Sequence, residues 1–102
     1  MQKYKIVFSD VADDDLEEII VYLSNFSQNI ALRYYDEIMQ KANSLIFMPE
    51  RCPFVNDDEF RVAGYHWLFV RNYIIFYIVN NFSHTVQIRR ILHSSRDYTA
   101  LL

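Results

Sequence analysis

Five arginines lie between Arg61 and Asp97, namely Arg61, Arg71, Arg89, Arg90 and Arg96, with His93 among them. Tyr65, Tyr73, Tyr77 and Tyr98 are interleaved with these residues. A guanidinium grips a phosphate or carboxylate through two parallel hydrogen bonds, and a phenol ring stacks on a base. Histidine is the side chain that changes charge near neutral pH, so His93 could move a proton in phosphodiester cleavage. The set could therefore grip and cut RNA. A plainer reading uses the same residues: Arg89 and Arg96 pair with Asp57, Asp58 or Glu59, and Tyr77 is core. On the residues alone both stand.

Other chemistries find little support. His66, His84 and His93 are scattered, without an HExxH pair, and Cys52 has no second cysteine, so no metal is expected. The one glycine, Gly64, cannot make a phosphate-cradling glycine loop, and no cofactor is expected. Cys52, between Arg51 and Pro53, reads as a half-buried structural thiol. Asp13, Asp14 and Asp15 point in different directions around a helix. They read as a solvated first turn.

The elements that must position these groups follow from periodicity. Residues 3–8 alternate and predict a first strand. Ser9 or Asp10 then caps a helix from about Val11 to Asn25, with Ala12, Leu16, Ile19, Ile20 and Leu23 on one face. Ser27 caps a second helix carrying Ala31, Tyr34, Tyr35, Ile38, Ala42 and Leu45, which ends before Pro49. The short link predicts an antiparallel helix hairpin. Residues 48–58 read as a loop. Three strands of an antiparallel sheet follow at about 60–69, 72–80 and 85–92, with a tight turn at Arg71-Asn72. The unbroken apolar run from Tyr73 to Val79 marks the central strand, buried on both faces. In the last strand Val86, Ile88, Arg90 and Leu92 are expected to face the helices. A short helix or turn closes the chain, with Leu101 and Leu102 folded back. The fold class is α+β, in one domain spanning 1–102.

Composition agrees with a globular chain: 52% of residues are hydrophobic and 23% charged, which leaves no case for disorder. No signal-peptide core is visible, and no apolar run approaches the ~20 residues of a membrane span. A cytoplasmic protein with no membrane partner is expected. Net charge is −3, but acids crowd residues 10–18 while the segment from Arg61 to Asp97 holds one acid, Asp97 itself. The basic half can face an anionic partner even though the total is negative.

Taken in this order, the chain resembles the RelE/ParE superfamily of type II toxin–antitoxin toxins over nearly its whole length. Ala12, Asp15, Leu16, Ile19, Tyr22, Ala31, Leu45 and Pro49 sit at the family's places in the strand and helix hairpin. Arg61 matches an arginine strand, and Tyr73, Phe76 and Tyr77 match the central strand. The closing VQIRRILHSSRDY is similar to the I-x-R-V-L-H-x-x-R-D ending of the ParE branch. The resemblance implies a cognate antitoxin that lays a helix or strand across the toxin. It also implies one of two activities: RelE-like cleavage of mRNA on the ribosome, or ParE-like poisoning of DNA gyrase. RelE-like enzymes commonly place a phosphate-holding Arg where this chain has Ile74, and they carry a lysine-rich strand that is missing here. They also tend to be basic, because phosphate neutralisation drives their affinity for RNA. These departures favour a gyrase inhibitor, which is not an enzyme. Its recognition surface would be Arg61, Arg89, Arg90, His93, Arg96, Asp97 and Tyr98. The alternatives are a ribosome-dependent mRNA endonuclease using Arg61, Arg89 and His93, and a degenerate toxin that only binds its antitoxin.

Overall fold

Lys5 to Phe8 forms the first strand, β1 (Lys5–Phe8), and Ser9 turns the chain into helix α1 (Asp10–Ser24). The computed structural model describes residues 2–102. Ser9 Oγ accepts the Ala12 N–H at 3.0 Å and its hydroxyl donates to the Arg89 carbonyl, so one cap fixes both the helix start and its place on the sheet. Asp10 and Asp13 occupy the first turn, where the helix dipole favours acids. Ser27 caps α2 (Gln28–Asn43) in the same way, through the Ile30 N–H. A single 3-10 turn, Ser44–Ile46, continues α2 and buries Leu45. The helix faces follow the periodicity of the sequence, except that Tyr35, expected on the packed face of α2, is exposed.

Strands β2 (Tyr65–Val70), β3 (Tyr73–Asn80) and β4 (Thr85–His93) complete a four-stranded sheet of order β1-β4-β3-β2. The three C-terminal strands are antiparallel, as expected, and β1 joins β4 in parallel, which makes the sheet mixed. The helix hairpin covers one face, where Ala12, Leu16, Ile38 and Leu45 meet Ile75, Tyr77, Val86, Ile88 and Ile91. On the opposite face Val55, Phe60, Tyr65, Ile74, Phe76 and Leu92 form a second core, with Trp67, Tyr98, Leu101 and Leu102 against it. The central strand is thus covered on both sides, and every residue from Tyr73 to Tyr77 is buried.

Three expectations need correction. The strand expected from residue 60 begins at Tyr65, because Asp57 caps a short helix, α3 (Asp58–Val62), and Gly64 turns out of it at φ +94°. Arg61 therefore sits on a helix. The loop at 48–58 is also more ordered than its sequence suggests. Val55 N–H bonds the Tyr65 carbonyl and Trp67 N–H bonds the Pro53 carbonyl, so the loop partly covers the edge of β2. The third correction concerns β4. Tyr77 pairs with Ile88 but Phe76 pairs with Arg90, so Arg89 is an extra residue, a β-bulge. Beyond the bulge the alternation inverts: Ile91 faces the helices and Leu92 faces away.

Candidate recognition cleft

The bulge sets the fate of each basic residue on β4. Arg89, the extra residue, lies 5.7 Å over the Tyr65 ring and donates to Gln87. Arg90 wraps around the sheet edge. Its guanidinium donates to both carboxylate oxygens of Asp15, at 2.8 and 2.9 Å, and to the Leu101 carbonyl at 2.9 Å. The Asp15 carboxylate holds Arg90 above its ordinary pKa, against the opposing effect of burial. Asp15 also accepts the Ile91 N–H at 3.0 Å, in place of the strand that β1 no longer provides there. Asp15 is buried and belongs to the packed face of α1, not to a solvated turn. The sequence carried the signal: Ala12, Asp15 and Ile19 recur at i, i+3 and i+7.

The other expected residues divide among three places. Arg61 is exposed on α3 and pairs with Asp58. Asp97 caps the final 3-10 turn, Tyr98–Ala100, through the Thr99 N–H. Tyr98 packs against Phe60, Trp67 and Phe76 in the second core. His93 and Arg96 share a concavity with the middle of α1, while Arg89 and Arg90 line a smaller one beside Val11 at its start. The ion pairs expected between Arg89 or Arg96 and the acids at 57–59 do not form among the described residues; Asp58 takes Arg61 instead. Arg89 and His93 are four residues apart on one strand, or about 13 Å. His93 and Arg89 line different clefts, and Arg61 lines neither of them.

The concavity is a cleft of ≈ 530 Å³ between α1 and the end of β4. Ile19, Leu23, Tyr73 and Ile91 form its apolar floor, and Glu18, Tyr22, His93 and Arg96 stand at its rim. His93 is held on both ring nitrogens: Nδ1 meets Ser95 at 2.7 Å and Nε2 meets the Asn72 amide at 3.1 Å. Tyr73 is 5% exposed, and its hydroxyl makes no hydrogen bond among the described residues. Burial pushes its phenol pKa up, and the Tyr34 and Tyr22 phenols add to the shift. Tyr73 is therefore a neutral donor facing the cleft. Its neighbours Ile19, Tyr22 and Leu23 were legible as helix residues but not as cleft walls. Among the described residues no three His, Cys, Asp or Glu side chains converge where a metal could sit.

The family model of the ParE toxin of type II toxin–antitoxin systems (parDE) matches residues 6–98. The chain belongs to the ParE toxin family. Its fold is similar to that of the chromosomal ParDE toxin–antitoxin system from P. aeruginosa, at a TM-score of 0.72 and 18% identity, covering 91% of this chain and 98% of that one. It is also similar to the RelBE2 toxin–antitoxin complex from Mycobacterium tuberculosis, at 0.64 and 20% identity, covering 89% and 98%. No curated protein matches the sequence significantly. For a ParE-family chain the Asp15–Arg90 clamp has a clear structural use. It joins α1, β4 and the C-terminal tail at one point. Among the described residues no helix is long and apolar enough to cross a membrane.

Proposed function

We propose that this type II toxin acts by binding DNA gyrase, is silenced by a cognate antitoxin, and catalyses no reaction of its own. The observation that carries the reading is the dispersal of the groups a nuclease would need. His93 spends both ring nitrogens on Ser95 and Asn72, and Arg90 is spent on Asp15 and Leu101. Arg61 and Arg89 lie elsewhere, and the position where a ribosomal nuclease holds phosphate is Ile74, 5% exposed in the second core. What remains available are two separate cations, the half-exposed Arg89 over the Tyr65 ring and the exposed Arg96 at the cleft rim. Such a surface suits recognition of a protein partner.

The mRNA endonuclease stays the second reading, because His93 and Arg96 do share one cleft. The test is expression of the chain without antitoxin, followed by gyrase supercoiling and mRNA integrity measured side by side. The gyrase reading expects supercoiling to fail while mRNA stays whole, and expects His93→Ala to keep its toxicity. Cleaved mRNA in the parent, with toxicity abolished by His93→Ala in a folded protein, would replace it with the nuclease. Harmless expression of folded protein would leave only antitoxin binding. Deleting the tail is a poor substitute, since Tyr98, Leu101 and Leu102 roof the second core.

A further inference from the structure

Strand β1 covers β4 only from Thr85 to Ile88, and the chain then leaves for α1. Beyond the bulge the edge of β4 therefore pairs with no strand among the described residues. Ser94 N–H bonds the Asn72 carbonyl, so in this register Leu92 and Ser94 face β3 while Ile91 and His93 turn their backbone groups outward. Two of those four groups are already taken. Asp15 accepts the Ile91 N–H, and the His93 carbonyl accepts the Arg96 N–H. Among the described residues the Ile91 carbonyl and the His93 N–H stay open, and both residues line the cleft against α1.

This pattern selects a direction of pairing. An antiparallel neighbour needs the N–H and C=O of the same residue, and at Ile91 and His93 one of the two is blocked. A parallel neighbour needs the C=O of one residue and the N–H of the residue two further on. Ile91 and His93 offer that pair, astride Leu92. The cleft floor adds a second requirement. Residues flanking the bridged one turn their side chains to the helix side of the sheet, over Ile19, Leu23 and the unpartnered Tyr73 hydroxyl.

We infer that this cleft receives an extended segment of the antitoxin, running parallel to β4, with one residue bridged between the Ile91 carbonyl and the His93 N–H. The inference rests on the antitoxin reading above and deepens it. The segment places an apolar side chain against Ile19 and Leu23 and an acceptor at the Tyr73 hydroxyl. Backbone pairing supplies affinity in this mode and the side-chain floor supplies selectivity. Arg96 and Glu18 on opposite rims keep the segment in one register through charges of both signs.

The test uses the full chain and the protein encoded beside it, purified as a complex and compared with the free chain by residue-resolved amide exchange. The expected result is that the His93 amide exchanges at least about tenfold more slowly in the complex. Tyr73→Phe, which removes one hydroxyl from a buried ring, weakens the complex roughly three- to tenfold. Phe82→Ser, at the fully exposed tip of the β3–β4 hairpin, leaves affinity unchanged. A complex in which the His93 amide exchanges as fast as in the free chain overturns the inference and leaves the antitoxin reading standing. Absence of any complex overturns the antitoxin reading, and this inference with it.

Discussion

Asp15 takes three hydrogen bonds from one stretch of strand edge, two from Arg90 and one from the Ile91 backbone. Removing it leaves a guanidinium with 19% side-chain exposure, held only by the Leu101 carbonyl, and a strand N–H without its acceptor. Breaking a buried pair by deleting one member costs more than the pair contributes, because the survivor stays desolvated. Asp15→Ala should therefore destabilise by about 3 kcal/mol in urea unfolding, the lower end for such pairs given the residual exposure. A loss below about 1 kcal/mol would show the carboxylate to be solvated. Tyr77 gives a pH effect of opposite origin. Its hydroxyl donates to the Pro49 carbonyl at 2.6 Å, and burial, followed by the neighbouring Cys52 thiol, pushes its pKa far up. The unfolded chain loses that proton near pH ~10 and the folded chain keeps it. Stability is thus full below pH ~10 and falls as pH rises above it. Tyr73, raised in the same direction, adds to the fall. Melting curves at alkaline pH should show a shallower decline in Tyr77→Phe than in the parent.

Elements with a period were legible in the sequence, and elements without one were not. Helices α1 and α2, their serine caps and the doubly covered β3 were all readable from spacing. Helix α3 has five residues, too few to show a period, so its Phe60 and Arg61 read as the start of a strand. The bulge is invisible for another reason: it exists only in the register between β3 and β4, which no single strand encodes. Its consequence reached the candidate site, since it sent Arg90 to Asp15 and Leu92 to the far face. The doubly covered strand allows a direct check. Phe76 is fully buried between Trp67 and Tyr98, so Phe76→Ala should cost ~3–5 kcal/mol. Chemical denaturation with an unchanged slope would measure it, and a loss under about 1 kcal/mol would contradict the double covering.

Over the whole molecule, charge is separated along the chain more than it is balanced. Acids line α1, while Arg89 and Arg96 stay free of ion pairs among the described residues. The total of −3 hides this. Replacing both arginines with glutamate should abolish toxicity while stability falls by no more than about 0.5 kcal/mol at the exposed Arg96 and by about 1 kcal/mol at Arg89, which loses its place over Tyr65. Toxicity that survives this double reversal would move the recognition surface elsewhere on the fold. The family resemblance and the fold were readable from sequence because they depend on the order of elements. The cleft was not, because its walls come from α1, the β2–β3 turn and β4.

The parallel pairing of β1 with β4 also carries a consequence in time. Residues 5–8 are made some 80 residues before their partners at 85–88. At ordinary rates of about 5–20 residues per second, β1 waits several seconds for its neighbour. During that wait the growing chain has its helix hairpin but no finished sheet, so neither the basic end of β4 nor the cleft beside it exists. A ribosome carrying this chain therefore holds an unfinished sheet until residues 85–88 have emerged. Chains stalled before Thr85 should be cut readily by protease and bind no antitoxin in the cleft, whereas released chains resist. An antitoxin already waiting in the cell would meet each toxin at the moment its surface first forms.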